Sequence, residues 1–581
     1  MTRRLAGIVL LLMSTTATSA GAATLHVCAH GCAYRQVADA VAAAHDGDGV
    51  SVADGTYRGG FAITKRLTVD GAGAGRTTIK GGGPVITVGI ESGSSEPTVT
   101  IRDVTITGGV THSAFGGTVE ALGGGVYVPE AADGAAQTTL TIIGSAVTGN
   151  VAAPASEIDA GFPCGPIGDC QFAHAGGGGI DSWGHLTVRD TLVADNQASG
   201  PLTSDADGGG IYSQDGTLTV DRSVITGNRA QAGKPDTPAG RFAEGAGIMV
   251  DNFFSGPPDT TCVAPRPACS FVIRDSVVDS NVSLLSTTVP LFSSDGDFVI
   301  LANAGGIHVG DNIPTTVERT RIYNNAATST DLQGEASSID AGMIVGASPL
   351  TMRDTHVDHN LTATTAATVA DVTPIGDALE IDGSGTIVNS TVDGNVATTF
   401  SPDGVAGTYG GLGVFGTDLL TLKNSAISDN FTVARSDTGF AEVLGGGVFN
   451  NTPLTLDHVV VSRNTARAEG PTGMAQGGGI WNGDLFAGPP VLTLENSSVV
   501  ENALEASPGI QRQGGGIFTT FPVVRVNTLI AGNRPDQCVG CSPAMATDRR
   551  AGATPSLAVR ARTVATADRR ARRPRPAGLT R

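Results

Sequence analysis

Apolar and polar residues alternate in short runs along this chain, and the runs return at a fixed step. The stretch from Gly208 to Asn228, GGGIYSQDGTLTVDRSVITGN, shows the unit. A small-residue cluster precedes an aliphatic position, a Leu-Thr-Val run follows, and the unit closes on an aliphatic residue three before Asn. Eleven copies end at Asn150, Asn196, Asn228, Asn281, Asn325, Asn360, Asn395, Asn430, Asn464, Asn502 and Asn533. From Asn325 the next four steps are 35, 35, 35 and 34 residues. A period of that length marks a stack of one supersecondary unit rather than a globular domain.

Aligned on their small-residue clusters, the copies share an aliphatic column: Val126, Ile180, Ile211, Ile248, Ile307, Ile344, Leu379, Val414, Val448, Ile480 and Ile517. Side chains alternate along a strand, so this column faces a core and the next residue points outward. A second strand carries the Leu-Thr-Val run and a third leads into the Asn. Three short strands per repeat, with no helical period, predict an all-β fold, a single-stranded right-handed parallel β-helix with one repeat per coil. Stacked asparagines about 4.8 Å apart can bond up and down the stack. A Ser/Thr column lies five residues earlier, at Ser145, Thr191, Ser223, Ser276, Thr320, Thr355, Ser390 and Ser425. The dipeptides Arg189-Asp190, Asp221-Arg222, Arg274-Asp275, Glu318-Arg319 and Arg353-Asp354 invert their sign order at each step. Stacked in parallel, they place each charge beside its opposite.

The ends differ from the repeats. Residues 1–23 carry Arg3 and Arg4, an apolar run from Leu5 to Met13 and a small-residue close, which predicts a secretory signal peptide. Tyr34, Val37, Val41 and Ala44 share one face of a short helix placed to cap the first coil, and 24–122 supplies that cap and the opening coils. Residues 123–542 continue the same domain as repeated coils. Residues 543–581, rich in Arg and poor in large apolar residues, predict a disordered tail.

Charge and cysteines narrow the setting. The formal net charge of -19 combines a tail of ten Arg against Asp548 and Asp568 with a body near -27, which argues against nucleic acid as a partner. No membrane span follows from the sequence, and a free or surface-held extracellular monomer is expected. Cysteines fall in four close pairs: Cys28 and Cys32, Cys164 and Cys170, Cys262 and Cys269, Cys538 and Cys541. In an exported chain these predict local disulfides. For Cys538 and Cys541 the alternative is a metal or redox pair, but a zinc site needs four ligands. No cofactor and no metal are expected.

Candidate chemistry lies on the outward column, which reads Tyr127, Asp181, Tyr212, Met249, His308, Val345, Glu380, Phe415, Phe449, Trp481 and Phe518. Its last four coils present aromatics. Exposed, they form a strip for sugar rings; covered, they seat loops. Tyr212, His308, Phe415, Phe449, Trp481 and Phe518 are therefore candidate ligand-binding residues. Glu380 and Asp382 share an outward face with Asp377 near, a possible acidic site for calcium or general acid–base work, set against chance proximity in an acidic body.

The small-residue opening paired with a [V/I]-x-x-N close resembles the repeat of the polymorphic outer membrane proteins, bacterial adhesins whose F-x-x-N carries Phe where this chain has Val or Ile, as in Ile225-Thr226-Gly227-Asn228. That resemblance covers 123–533 and implies surface display and adhesion. No membrane barrel like theirs is expected here. The opening, Tyr34-Arg35-Gln36-Val37 through Gly55-Thr56-Tyr57 to Leu67-Thr68-Val69-Asp70-Gly71, is similar to the start of pectin lyase-like carbohydrate enzymes. The acid and His–Gly motifs of polygalacturonases and the D-P-H of alginate epimerases are missing. Gln214-Asp215-Gly216-Thr217-Leu218 faintly resembles a pectin methylesterase stretch, with an extra residue. The leading expectation is a non-catalytic β-helix that recognises glycans or cell surfaces. The alternatives are a polysaccharide lyase, hydrolase or epimerase, and a purely structural surface spacer.

Overall fold

The computed structural model describes residues 22–541 apart from 94–96, 113–118, 133–135, 155–172, 200–204, 234–241, 253–268, 288–299, 332–334, 368, 371–377, 417 and 485–489. The expected signal peptide and Arg-rich tail, together with Cys164, Cys170, Cys262 and Asp377, lie outside the described residues.

One coil contains Ile211–Gln214, Thr217–Asp221, Val224–Thr226, Arg229–Ala232 and Phe242–Glu244. Each strand pairs in parallel with its equivalent one coil later: Ile211 with Ile248, Leu218 with Phe271, Ile225 with Val278, Ala230 with Ser283, Ala243 with Ala302. Numbered in this order, sheets 1 to 5 hold 14, 15, 14, 11 and 11 strands. The chain is a parallel β-helix.

Two expectations are corrected. Among the described residues eleven coils have five strands, not three, because the segment after the third strand, expected as loop, runs out along sheet 4 and back along sheet 5. These two sheets meet through Ala230, Ala232, Ala243, Ala302 and Ala336, and in later coils through Ala434, Ala441, Ala466 and Ala475, all fully buried. Methyl groups let the sheets approach closely, yet Ala is a poor strand former and gives no hydrophobic signal. The inward column contains Met343 and Leu412, which pair with Ile307 and Val448, so Ile344 points outward and Val345 inward. Gly413 takes the outward place expected for Phe415, which stands two residues on. The small-residue clusters at these coils, Ala341-Gly342 and Gly410-Gly411, misplace the alignment by one and two residues.

Sheets 1 to 3 enclose the main core, a continuous file of buried Val, Ile and Leu. At its corners the chain turns through left-handed residues. The residue before every ladder Asn has positive φ, among them Asp195 (54°), Gly227 (65°), His359 (58°) and Glu501 (59°). The second residue of each charged dipeptide does too, as in Asp190 (50°) and Arg222 (48°).

The asparagine ladder spans all eleven coils. Each Nδ2 donates to the next Oδ1, from Asn150 to Asn196 at 3.0 Å through Asn502 to Asn533 at 2.9 Å. The same Oδ1 also accepts the preceding Asn backbone N–H, and Nδ2 donates again to a sheet 3 carbonyl of the previous coil. Every lone pair and proton of the carboxamide is thus used, although the side chains are buried. The ladder favours glycine before the inward aliphatic, present in every ladder coil except that of Ala378. A Cβ on Gly210 would lie 2.5 Å from the Gly247 carbonyl and 2.9 Å from the Asn228 carboxamide. The Ser/Thr column forms a second ladder, with Thr191 N–H donating to Ser223 Oγ at 3.2 Å and Ser223 N–H to Ser276 Oγ at 3.1 Å.

The charged dipeptides stack as expected: Arg222 grips Asp190 at 2.8 and 2.9 Å, and Arg319 grips Asp275 at 2.7 and 2.9 Å. Roughly half exposed, each pair contributes about 0 to 1 kcal/mol and sets register more than stability. At the N-terminal end the helix Val37–Ala43 buries Val37, Ala40 and Val41 over the first coil. Lys65 Nζ donates to the carbonyls of Ala42 (2.8 Å) and Ala44 (2.7 Å), a cation at the helix C-terminus. Disulfides join Cys28 to Cys32 and Cys538 to Cys541, and Cys269 is also disulfide-bonded. Among the described residues no helix is long and apolar enough to cross a membrane.

Candidate functional site

Sheets 5 and 1 meet at the small-residue cluster, and their outer faces turn toward each other to make a concave corner along the molecule. Strict alternation fills it. In sheet 5, Ala175, Ala206 and Ala243 face sheet 4, so His174, Asp205, Asp207 and Glu244 face the corner. From sheet 1 come Asp181, Tyr212, Met249 and His308, one per coil in register.

The polar part of the corner spans these coils. His174 Nε2 and Asp207 Oδ2 are 3.0 Å apart with both side chains largely buried (16% and 13% exposed). Burial alone pushes His174 down, but the hydrogen bond and charge of Asp207, with Asp181 and Asp205, hold it up at about 9. His174 therefore keeps its second ring proton at neutral pH, hydrogen-bonded to Asp207. The Tyr212 ring meets the His174 ring edge-on at 5.7 Å. Asp181 is fully buried, and neither carboxyl oxygen has a hydrogen-bond partner among the described residues. Burial, aided by Glu120 and Asp207, pushes it up to about 8 against the pull of His174, so it is a neutral acid. Gly176 makes this seat possible, since a Cβ there would lie 2.8 Å from Asp181 Oδ2.

One coil on, Glu244 accepts from Asn303 Nδ2 at 2.8 Å and lies 3.6 Å from His308 Nδ1. Burial and the charges of Asp207 and Asp251 hold Glu244 well above the usual carboxyl range. Burial pushes His308 down to about 4. The His308 imidazole is therefore neutral at neutral pH, and the contact is not an ion pair. In chemical terms the corner offers an imidazolium at His174, a neutral acid at Asp181 and the carboxyl groups of Asp207 and Glu244. These are donors and acceptors suited to hydroxyl and amine groups and, in principle, to protonating a leaving oxygen.

The chain matches no protein-family model, no curated protein and no solved structure.

The remaining expected site residues divide. Glu380 and Asp382 do meet, with Asp340 joining them from the sheet 5–sheet 1 turn. Burial and the neighbouring Asp340 and Asp382 raise Glu380 well above its usual range, and burial pushes Asp382 up to about 6. His308 is not part of that group, because Ile344 occupies the coil between it and Glu380. Among the described residues no group of three or more His, Cys, Asp or Glu could hold a metal ion.

The aromatics take the covered arrangement. Phe449 is fully buried and Trp481 is 4% exposed. The stack is continued by Tyr409 from sheet 5, whose ring lies parallel to Phe449 at 3.8 Å, with Trp481 on the other side at 4.6 Å. Trp481 Nε1 donates to Gln476 Oε1 at 3.1 Å. Phe415 contacts Phe449 at 5.1 Å and Phe518 packs at the margin. Tyr212 is also buried. His174, Asp207 and Glu244 escape sequence reasoning because they sit in segments read as loops. The signal was present in the x-Ala-x-Gly pattern before the small-residue cluster, as in His174-Ala175-Gly176, Asp205-Ala206-Asp207 and Phe242-Ala243-Glu244.

Proposed function

We propose that this is a secreted or cell-surface β-helix protein that recognises a glycan along the sheet 5–sheet 1 corner. The observation carrying this reading is the run His174, Asp207, Glu244 and His308, partly exposed hydrogen-bonding groups on successive coils of a rigid concave face. Coil spacing of about 4.8 Å is close to the length of one sugar residue, so a chain laid along the axis meets one set of groups per ring. A body charge near -27 disfavours uronates and favours neutral or amino sugars. Export is supported by the residue 1–23 pattern and the disulfides. The resemblance to polymorphic outer membrane protein repeats supports surface display, and that to pectin lyase-like enzymes supports a carbohydrate ligand.

A second reading has one specific observation in its favour. The neutral acid Asp181 shares the corner with a second carboxyl group, Asp207, and glycoside hydrolysis uses two carboxyl groups. One experiment addresses both. Purified protein is titrated calorimetrically with neutral, amino-sugar and uronate oligosaccharides while new reducing ends are measured. Binding of neutral or amino sugars, lost in Asp207→Asn and Glu244→Gln without loss of fold, is expected. Release of reducing ends that stops in Asp181→Asn selects the hydrolase. Binding that ignores both corner substitutions, or none with any sugar class, overturns the proposal.

A further inference from the structure

Beside the polar groups of the corner, the outer face of sheet 5 carries a short apolar step. Ala243 and Ala302 are fully buried against sheet 4, so their strand neighbours point outward. These are Phe242 and Glu244 on one coil and Leu301 and Asn303 on the next, with Phe242 in register with Leu301 and Glu244 with Asn303. Phe242 is 39% exposed and is the only aromatic among the exposed large apolar side chains of the described residues. Leu301 beside it is partly buried. Along the molecule the step is bounded by polar residues, since Asp205 pairs with Phe242 on one side and Ser337 with Leu301 on the other. It is therefore two coils long, with its strands about 4.8 Å apart. Single exposed apolar residues are ordinary on a protein surface. The row next to this one gives it meaning.

In that row Asp207, Glu244 and Asn303 follow one another in register on three coils. Asn303 Nδ2 donates to Glu244 at 2.8 Å and so fixes the carboxyl group. Asn303 is 5% exposed, and its Oδ1 has no hydrogen-bond partner. Asp207 Oδ1 and His308 Nδ1 have none either. Buried polar groups left unfilled are costly, and here three of them border one apolar step. We infer that a pyranose ring lies flat on Phe242 and Leu301 with its hydroxyl edge toward Glu244 and Asn303, an assignment that rests on the glycan reading proposed above. A pyranose is amphipathic in the same sense as this surface: axial C–H bonds make its faces apolar, and equatorial hydroxyls make its rim polar. The negative face of a phenyl ring favours such C–H bonds. Successive outward positions of a strand lie about 6.6 Å apart, so a ring centred over Phe242 brings its rim to the carboxyl group of Glu244. A step of two side chains is too small for a protein partner, which needs about 800 Å² of surface on each side. The fit selects gluco-configured chains, whose hydroxyls are equatorial. It also places the stacking contact on sheet 5 rather than on the covered rings of Phe449 and Trp481.

Calorimetric titration of the full chain with cello- and chito-oligosaccharides tests this. Phe242→Ala should weaken binding about tenfold or more, and Phe242→Leu, apolar but without a ring face, should weaken it to a similar extent. Phe242→Trp keeps a flat ring and should bind within about threefold of wild type. Because the position is exposed, all three variants should melt as wild type does, which separates lost stacking from lost fold. Affinity that falls in Asp207→Asn but not in Phe242→Ala overturns the platform and leaves the glycan reading standing. Equal losses in Phe242→Ala and Phe242→Trp also overturn stacking. Binding of neither oligosaccharide by the wild-type protein overturns this assignment, and binding of no sugar of any class overturns the glycan reading with it.

Discussion

Replacing Asn360 by alanine removes four hydrogen bonds from a site that is 1% exposed. Its Nδ2 donates to Asn395 Oδ1 at 3.0 Å and to the Ile322 carbonyl at 3.1 Å. Its Oδ1 accepts from Asn325 N–H at 3.0 Å and Asn325 Nδ2 at 3.1 Å. Asn395 Oδ1 keeps the Asn360 backbone donor at 2.9 Å, but the Asn325 N–H and one Asn325 amide proton are left buried without acceptors. At about 1 to 3 kcal/mol for each of these two unsatisfied groups, the variant should lose about 2 to 6 kcal/mol locally. Asn360→Asp is the sharper test. One carboxylate oxygen can still accept from Asn325, but the other would face the Ile322 carbonyl and Asn395 Oδ1, both acceptors, so the buried acid must hold a proton. Its folded pKa is then raised above the unfolded value near 4, and the folded state binds the proton more tightly. The deficit relative to wild type should grow with pH above that value, by at most about 1.4 kcal/mol per unit, until the folded pKa is reached. Solenoids open locally, so hydrogen exchange of the 320–400 peptides is a better measure than a single global transition. Thr351→Ala, on an exposed position of sheet 2, serves as the control. A loss below about 0.5 kcal/mol for Asn360→Ala, comparable to a neutral surface substitution, would refute the ladder as a structural requirement. An Asp variant equally stable at pH 4 and pH 7 would refute its donor–acceptor assignment.

Asp181→Asn should raise the melting temperature more at pH 8 than at pH 5. The folded pKa of Asp181 is raised to about 8, so stability falls as pH climbs from its unfolded value toward 8, and the amide escapes that loss; an advantage independent of pH contradicts this. Gly210→Ala should cost about 1 to 3 kcal/mol by overpacking, whereas Ala378→Gly, at the one coil where alanine already takes this place, should change stability by less than about 1 kcal/mol in denaturant titration. Trp481→Ala should cost about 3 to 5 kcal/mol, because a buried stacked ring is removed. Hydrogen exchange over 440–490 measures that loss, and unchanged exchange together with lost sugar binding would make the ring a ligand platform instead.

Much of the coil was legible residue by residue. The Asn column, the Ser/Thr column, the alternating Arg–Asp order and the inward aliphatics each repeat a side-chain requirement in every coil, and local alternation converts such a column into a direction. Sheets 4 and 5 were not legible, because alanine and serine satisfy a closely spaced interface without the apolar signal that marks an ordinary strand. The inward and outward assignment failed at Ile344, where the small-residue cluster is degenerate and a slip of one residue reverses every side chain; at Phe415 the slip is two residues, which shifts the place along the strand and keeps the direction.

The candidate site divides along the same line. Sequence placed Tyr212, His308, Glu380 and Trp481 on one outward column, because that follows from period two alone. That His174, Asp207 and Glu244 stand opposite them, that Asp181 loses its charge, and that Trp481 is covered were decided only when the chain doubled back and brought sheet 5 against sheet 1. Alternation fixes which way a residue points within its own strand. Protonation and burial depend on what the rest of the fold puts in front of it.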